Sequence, residues 1–348
     1  MTMLRVRFAH LLQRWRRALG RLGRQALPPS TLLPGQWQSG EYQEPTQRRL
    51  LFAHRPRRLR YRLYLPRERA TTANLPLLAM LHGCQQDADA FAAGTRMDAL
   101  ADEYGCALLY PEQSTAANGM RCWNWFDADV QAGRGEAALV AGLAQERVQH
   151  ESLDPHRVYV AGMSAGAAMA GVLAMRWPQL FAACGLHSGV PCGAASSAGE
   201  ALLAMRSGAT SSPQETARAL ASAAGTATLQ VPAVVIHGSA DTTVNARNVE
   251  QIVALHLALA GAWDGGGTPP VATEEARFEA GGRGVLQRDY AIGATLLVRS
   301  LLVDGLGHAW SGGDPQFAFN DAAGPDASRV MLDFLLRHRR QEQGSAAR

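Results

Sequence analysis

The chain has 348 residues, 47% hydrophobic and 18% charged, enough to bury a large core and unlike a disordered or fibrous protein. No run of about 18 uninterrupted apolar residues occurs, which argues against a membrane span. The formal charge of +4 is unevenly placed: all 34 basic residues are arginine, seven lie in residues 1–27 with no acid, and 27 arginines against 30 acids leave the rest at −3, so the body is not expected to bind nucleic acid.

In chain order, residues 1–35 form an arm. Leu4, Phe8, Leu11, Leu12, Trp15, Leu19 and Leu22 recur at helical spacing between arginines, the pattern of a basic amphipathic helix. Such a helix suits residues 1–27 to a lipid, membrane or granule surface, or to another protein; the competing reading is a solvated, disordered extension. Arginine interrupts it throughout, unlike a secretory signal, so the expected location is the cytoplasm or a granule or membrane surface. Pro28, Pro29 and Pro34 end the arm and the body is expected over residues 36–340, followed by a disordered tail at 341–348.

Strand-like apolar runs are Leu59–Leu65, Leu77–Leu81, Ala107–Tyr110, Val158–Ala161, Ala182–Leu186, Ala233–Ile236, Gln287–Ile292 and Thr295–Val303. Helix-like stretches lie at Asp87–Tyr104, Glu136–Val148, Ala165–Arg176, Ala246–Ala260 and Ala327–Arg340. This alternation predicts an α/β fold, a mostly parallel twisted sheet with helices on both faces and chemistry at the carboxyl ends of its strands. Residues 193–228, rich in Ala, Ser, Gly and Thr, read as a small helical insertion over the site or as a surface excursion. Residues 261–285, with Gly265-Gly266-Gly267, Pro269-Pro270 and Gly281-Gly282, read as a connecting loop.

Gly162-Met163-Ser164-Ala165-Gly166 fits G-x-S-x-G at a strand-to-helix junction. A sharp turn there exposes the Ser164 hydroxyl above the sheet, and the helix N-terminus aims N–H groups at any anion formed beside it. A serine nucleophile needs a base and an acid to orient that base. His308, in Gly305-Leu306-Gly307-His308-Ala309-Trp310 after the last strong strand, is the candidate base; His187 reads as structural, and His256 and His338 as solvated or packed. Asp241, in the loop leaving the 231–237 strand, is the candidate acid, with Asp304 competing from only four residues before His308. The oxyanion donors are expected to be the backbone N–H groups of Ala165 and, from Leu81-His82-Gly83-Cys84-Gln85, of Cys84, although His82-Gly83 also fits a simple strand-exit turn. Five cysteines show no metal-ligand spacing, so no metal site is expected.

These segments, with Arg121-Cys122-Trp123-Asn124-Trp125-Phe126, Gly133-Arg134-Gly135-Glu136, His237-Gly238-Ser239-Ala240-Asp241 and Gly307-His308-Ala309-Trp310-Ser311-Gly312-Gly313, make the chain resemble the polyhydroxybutyrate depolymerase family of esterases, related to feruloyl and acetylxylan esterases. The resemblance covers roughly residues 50–337. It implies an α/β-hydrolase fold and a cofactor-independent serine esterase with Ser164, Asp241 and His308 as the catalytic triad. It also implies substrate contacts at Trp123, Trp125, His82 and Trp310, the two tryptophans 123 and 125 reading equally as core, and a Cys84–Cys122 disulfide. With no secretion signal or polymer-binding domain evident, the expected substrates are short-chain or oligomeric hydroxyalkanoate esters or another carboxylic ester; the alternatives are a feruloyl- or acetylxylan-type esterase and, from another class, a granule- or lipid-surface-binding protein with weak hydrolysis. Oligomeric state is not readable.

Overall fold

The computed structural model describes residues 36–45, 57–66, 74–263 and 270–340. The arm at 1–35 and the tail at 341–348 lie outside them. In chain order the elements are β1 (Gln36–Gln43), β2 (Arg58–Leu65), β3 (Leu77–Leu81), α1 (Ala88–Thr95), α2 (Met97–Tyr104), β4 (Ala107–Glu112), α3 (Ala128–Gln131), α4 (Gly135–His150), β5 (Val158–Met163), α5 (Ala165–Arg176), β6 (Ala183–His187), α6 (Ala198–Ser207) and α7 (Pro213–Ala223). There follow β7 (Ala233–Gly238), α8 (Arg247–Leu259), β8 (Glu274–Ala280), β9 (Arg283–Ile292), β10 (Thr295–Val303), the short β11 (Trp310–Ser311) and β12 (Asn320–Asp321), and α9 (Ala327–Leu335).

Ten strands form one sheet in the order β1-β2-β4-β3-β5-β6-β7-β10-β9-β8. The inner six, β4 to β10 in that order, are parallel, and antiparallel strands flank them on both sides. Every residue of β3, β5, β6 and β7 is buried, as a strand covered on both faces requires. One face packs Leu77, Val160 and Val235 beneath α4, α5 and α8. The other packs Met80, Tyr159 and Val234 beneath α1, α2 and α9. Helix α5 is buried from Ala165 through Met175; its alanines and glycines bring it close onto the sheet at the centre of the molecule.

Three expectations change. The single helix over Asp87–Tyr104 is two, because Arg96 takes a left-handed backbone (φ 52°) between α1 and α2. The final helix stops at Leu335 rather than running to Arg340, whose N–H instead donates to the His156 carbonyl at 2.9 Å. The 261–285 segment is not all loop: it contains β8, joined to β9 through Gly281-Gly282, both at positive φ, the backbone of a tight two-residue hairpin turn. Strand β8 (EEARFEA) has no buried residue, so it carries no apolar alternation to announce it. The 193–228 segment does form helices, α6 and α7. Their segment is tied to the chain beyond Asp241 by Asn245 N–H to Met205 O (2.7 Å) and Asn248 Nδ2 to Ala204 O (3.0 Å). Among the described residues no helix is long and apolar enough to cross a membrane.

Candidate active site

Ser164 sits between β5 and α5 with φ 57° and ψ −120°, a region an L-residue occupies only when its surroundings enforce it. They do so through main-chain bonds: the Ser164 N–H donates to His187 O at 2.9 Å, and the Ser164 carbonyl accepts from Ala168 N at 3.0 Å, starting the helix. Both bracketing glycines are sterically required. A Cβ at Gly162 would stand 2.6 Å from Leu81 O, and one at Gly166 2.0 Å from the same oxygen. The elbow is therefore pressed against the end of β3, and the N–H groups of the first turn of α5 face outward without intrahelical partners.

The loop after β3 is held in shape by buried polar side chains. His82 is wholly buried; Gln113 N–H donates to its Nε2 at 3.1 Å, so Nδ1 carries the proton and donates to Gly83 O at 2.8 Å. Burial pushes the His82 imidazole down to about 4, keeping it neutral in this structural task. Gly83 N–H donates to Gln86 Oε1 at 2.9 Å and Gln85 N–H to Met120 O at 2.7 Å. The Cys84 N–H between them has no partner among the described residues. A Cβ at Gly83 would lie 3.6 Å from Ser164 Cβ, so this loop abuts the serine. The Cys84–Cys122 disulfide is formed, and it ties the loop to the strand-exit segment carrying Trp123.

Asp241 follows β7 and His308 follows β10. The strands β5, β6, β7 and β10 run parallel, so the segments leaving their carboxyl ends emerge at one rim. His308 Nδ1 donates to Asp241 Oδ2 at 2.7 Å, with the carboxylate side chain fully buried and the imidazole 12% exposed. The other carboxylate oxygen, Oδ1, accepts from Thr243 N (2.9 Å) and Val244 N (2.8 Å). Burial raises the Asp241 pKa, but the His308 hydrogen bond and charge and the Val244 N–H outweigh it and hold the carboxyl below its ordinary value. The rival Asp304 is exposed at the end of β10. Close packing fixes the two loops together: a Cβ at Gly238 would meet Leu306 O at 2.1 Å, and Ala240 N–H donates to that oxygen at 3.0 Å.

Residues 59–280, more than half of the chain, match the model of the Esterase PHB depolymerase family. The chain belongs to this family. Over 190 residues it is 35% identical to poly(3-hydroxyalkanoate) depolymerase C of Paucimonas lemoignei, covering 53% of this chain and 46% of that protein. It is 34% identical over 137 residues to feruloyl esterase B of Neurospora crassa (39% and 45% of the two chains). With acetylxylan esterase A of Emericella nidulans the identity is 31% over 144 residues (41% and 46%). The chain thus spans less than half the length of these curated relatives. The solved acetyl xylan esterase of Aspergillus awamori superposes with a TM-score of 0.62 at 20% identity, over 80% of this chain and 93% of that one, which shows the α/β-hydrolase fold.

The structure places the expected substrate-contact side chains in the core. His82, Trp123, Trp125 and Trp310 are 0%, 0%, 4% and 1% exposed, leaving almost no surface for a substrate. Each has a structural task instead: the Trp123 indole N–H donates to His82 O at 3.1 Å, the Trp310 indole to Ser328 Oγ at 3.1 Å, and Trp125 meets Phe126 edge-on at 5.7 Å. Sequence reasoning passed over Gln86, whose side chain spans from Gly83 N–H to Ala318 O (3.3 Å); a glutamine in a turn carries no pattern that would single it out.

Proposed function

We propose that the chain is a serine carboxylic-ester hydrolase working through an acyl-enzyme, with Ser164 as nucleophile, His308 as base and Asp241 as its orienting acid. The observation that carries this reading is the Asp241–His308 bond at 2.7 Å, set at the same sheet rim as the Ser164 elbow. Ser164 Oγ attacks the ester carbonyl carbon while His308 Nε2 takes its proton. The tetrahedral oxyanion accepts from the Ala165 and Cys84 N–H groups. The bond to the alcohol breaks as His308 returns the proton to the leaving oxygen. Water, deprotonated by His308, then attacks the acyl-enzyme and releases the acid, regenerating the Ser164 hydroxyl.

The proposed substrates are oligomers or polymer of 3-hydroxyacids, or related short-chain esters, from the similarity to the poly(3-hydroxyalkanoate) depolymerase. The similarity to feruloyl and acetylxylan esterases supports the second reading, an aryl- or acetyl-ester substrate. Rates on 3-hydroxybutyrate oligomers, short-chain acyl, feruloyl and acetyl esters separate them. The first reading expects kcat/KM at least about ten-fold higher on the oligomers; the reverse ranking establishes the second.

A further part of the proposal is that residues 1–27 attach the enzyme to an anionic lipid or granule surface, supported by seven arginines interleaved with leucines. Deleting residues 1–27 is expected to abolish sedimentation with anionic vesicles while p-nitrophenyl ester hydrolysis persists. Unchanged sedimentation would remove the anchoring role.

A further inference from the structure

His187, the last residue of β6, touches both halves of the proposed machinery. Its carbonyl accepts the Ser164 N–H at 2.9 Å, one of the main-chain bonds that hold the elbow. Its ring reaches the other way: Nε2 accepts the Ser311 N–H at 3.2 Å, three residues beyond His308, and the ring stacks on Trp310 at 5.0 Å with planes 22° apart. A backbone N–H can only donate, so Nε2 holds a lone pair and Nδ1 carries the proton, donated to Ser188 Oγ at 3.1 Å. Every polar atom of the imidazole is thus committed.

We propose that His187 is a positioning residue that registers the His308 loop against the Ser164 elbow by accepting the Ser311 N–H. This rests on the serine-hydrolase reading above. The loop bearing His308 is anchored at its start by Leu306, whose carbonyl accepts Ala240 N–H at 3.0 Å. At its far end the Ser311 N–H is held by the ring of His187 alone among the described side chains. That end is also pinned to the following segment by Trp310 N–H to Phe319 O (2.8 Å) and Ser311 Oγ to Pro325 O (2.7 Å); the ring's part is to tie it to the residue whose main chain holds the serine, so loss of that acceptor loosens the register of base against nucleophile. Burial also pushes the ring's pKa down to about 3, with His237 and His308 nearby acting in the same direction. It therefore stays uncharged when the His308 imidazole takes a proton beside it.

Phenylalanine keeps the volume and the stack on Trp310 but has no acceptor; glutamine can place an oxygen near the Nε2 position. His187→Phe is expected to lower kcat on a p-nitrophenyl ester about 10- to 100-fold with KM changed less than about three-fold, as misplacement by a fraction of an ångström does. His187→Gln is expected to recover most of that loss. In a His308→Ala background, His187→Phe is expected to have little further effect, since it acts through the base. An active wild type with His187→Phe within about three-fold of it, equal impairment in the Phe and Gln variants, or losses that multiply with His308→Ala each overturn the inference while leaving the hydrolase reading intact. An inactive wild type overturns both. If His187→Phe fails to fold, the ring-nitrogen NMR shifts of unmodified protein at neutral pH decide: a proton on Nδ1 and not Nε2 supports the assignment, and the opposite tautomer overturns it.

Discussion

Replacing Ser164 with alanine is expected to lower ester turnover by about a million-fold, to a residue of slow hydrolysis, while leaving the protein folded. The change removes the attacking oxygen and little else. The Ser164 side chain makes no capping hydrogen bond to α5; the bonds that set the elbow run through its main-chain N–H and carbonyl, to His187 and Ala168, and alanine keeps both. Alanine also meets the same backbone constraint at φ 57° as serine does. What survives in the variant is binding and oxyanion stabilisation, worth about 10³- to 10⁴-fold over water in comparable enzymes. Turnover of a p-nitrophenyl ester and the urea unfolding midpoint, measured on the same preparation, check both halves. Activity within about ten-fold of wild type would remove Ser164 from the chemistry; a collapsed midpoint would show that its hydroxyl has a structural task instead.

Asp241→Asn is expected to cost about 10⁴-fold in kcat, again without unfolding. The geometry dictates how. Oδ1 of Asp241 already accepts two backbone N–H groups, from Thr243 and Val244, and those donors will take the amide oxygen of an asparagine. The amide nitrogen is then left at the Oδ2 position, facing His308 Nδ1, where 2.7 Å now separates the pair. An N–H there can only donate. It forces His308 Nδ1 to give up its proton and moves that proton to Nε2, the nitrogen proposed to accept from Ser164. The base is lost while the loop keeps its shape. Asp241→Ala removes this wrong donor and is expected to be less impaired than, or comparable to, the asparagine variant. An asparagine variant close to wild-type activity would exclude Asp241 as the orienting acid.

Much of this arrangement was legible in the sequence, for physical reasons. A strand buried on both faces must be largely apolar, so β3, β5, β6 and β7 stand out as apolar runs, with His187 and His237 only at the carboxyl ends of β6 and β7. A serine on a strained turn needs its flanking glycines, and the clearances at Gly162 and Gly166 show why. Strand β8 was missed because an exposed edge strand is specified by hydrogen bonds to β9 and a Gly-Gly hairpin, not by hydrophobic alternation. The break at Arg96 was missed because arginine gives no sign of a left-handed backbone. Tryptophans 123 and 310 stand among the substrate contacts that the family resemblance implies. Their place in the core is decided by distant partners, His82 O and Ser328 Oγ, that no local pattern reveals. The same holds for His82, which burial and hydrogen bonds make neutral scaffolding, whereas His187 takes the structural role already read from its place after the serine helix.

The convergence of Ser164, His308 and Asp241 on one reactive centre is tested most directly by covalent labelling with a fluorophosphonate, which only an activated serine attacks, followed by peptide mass spectrometry. The expected result is a single modified residue, Ser164, with labelling lost in His308→Ala and strongly slowed in Asp241→Asn. Labelling at another serine, or labelling of Ser164 that proceeds unchanged without the His308 imidazole, would contradict it.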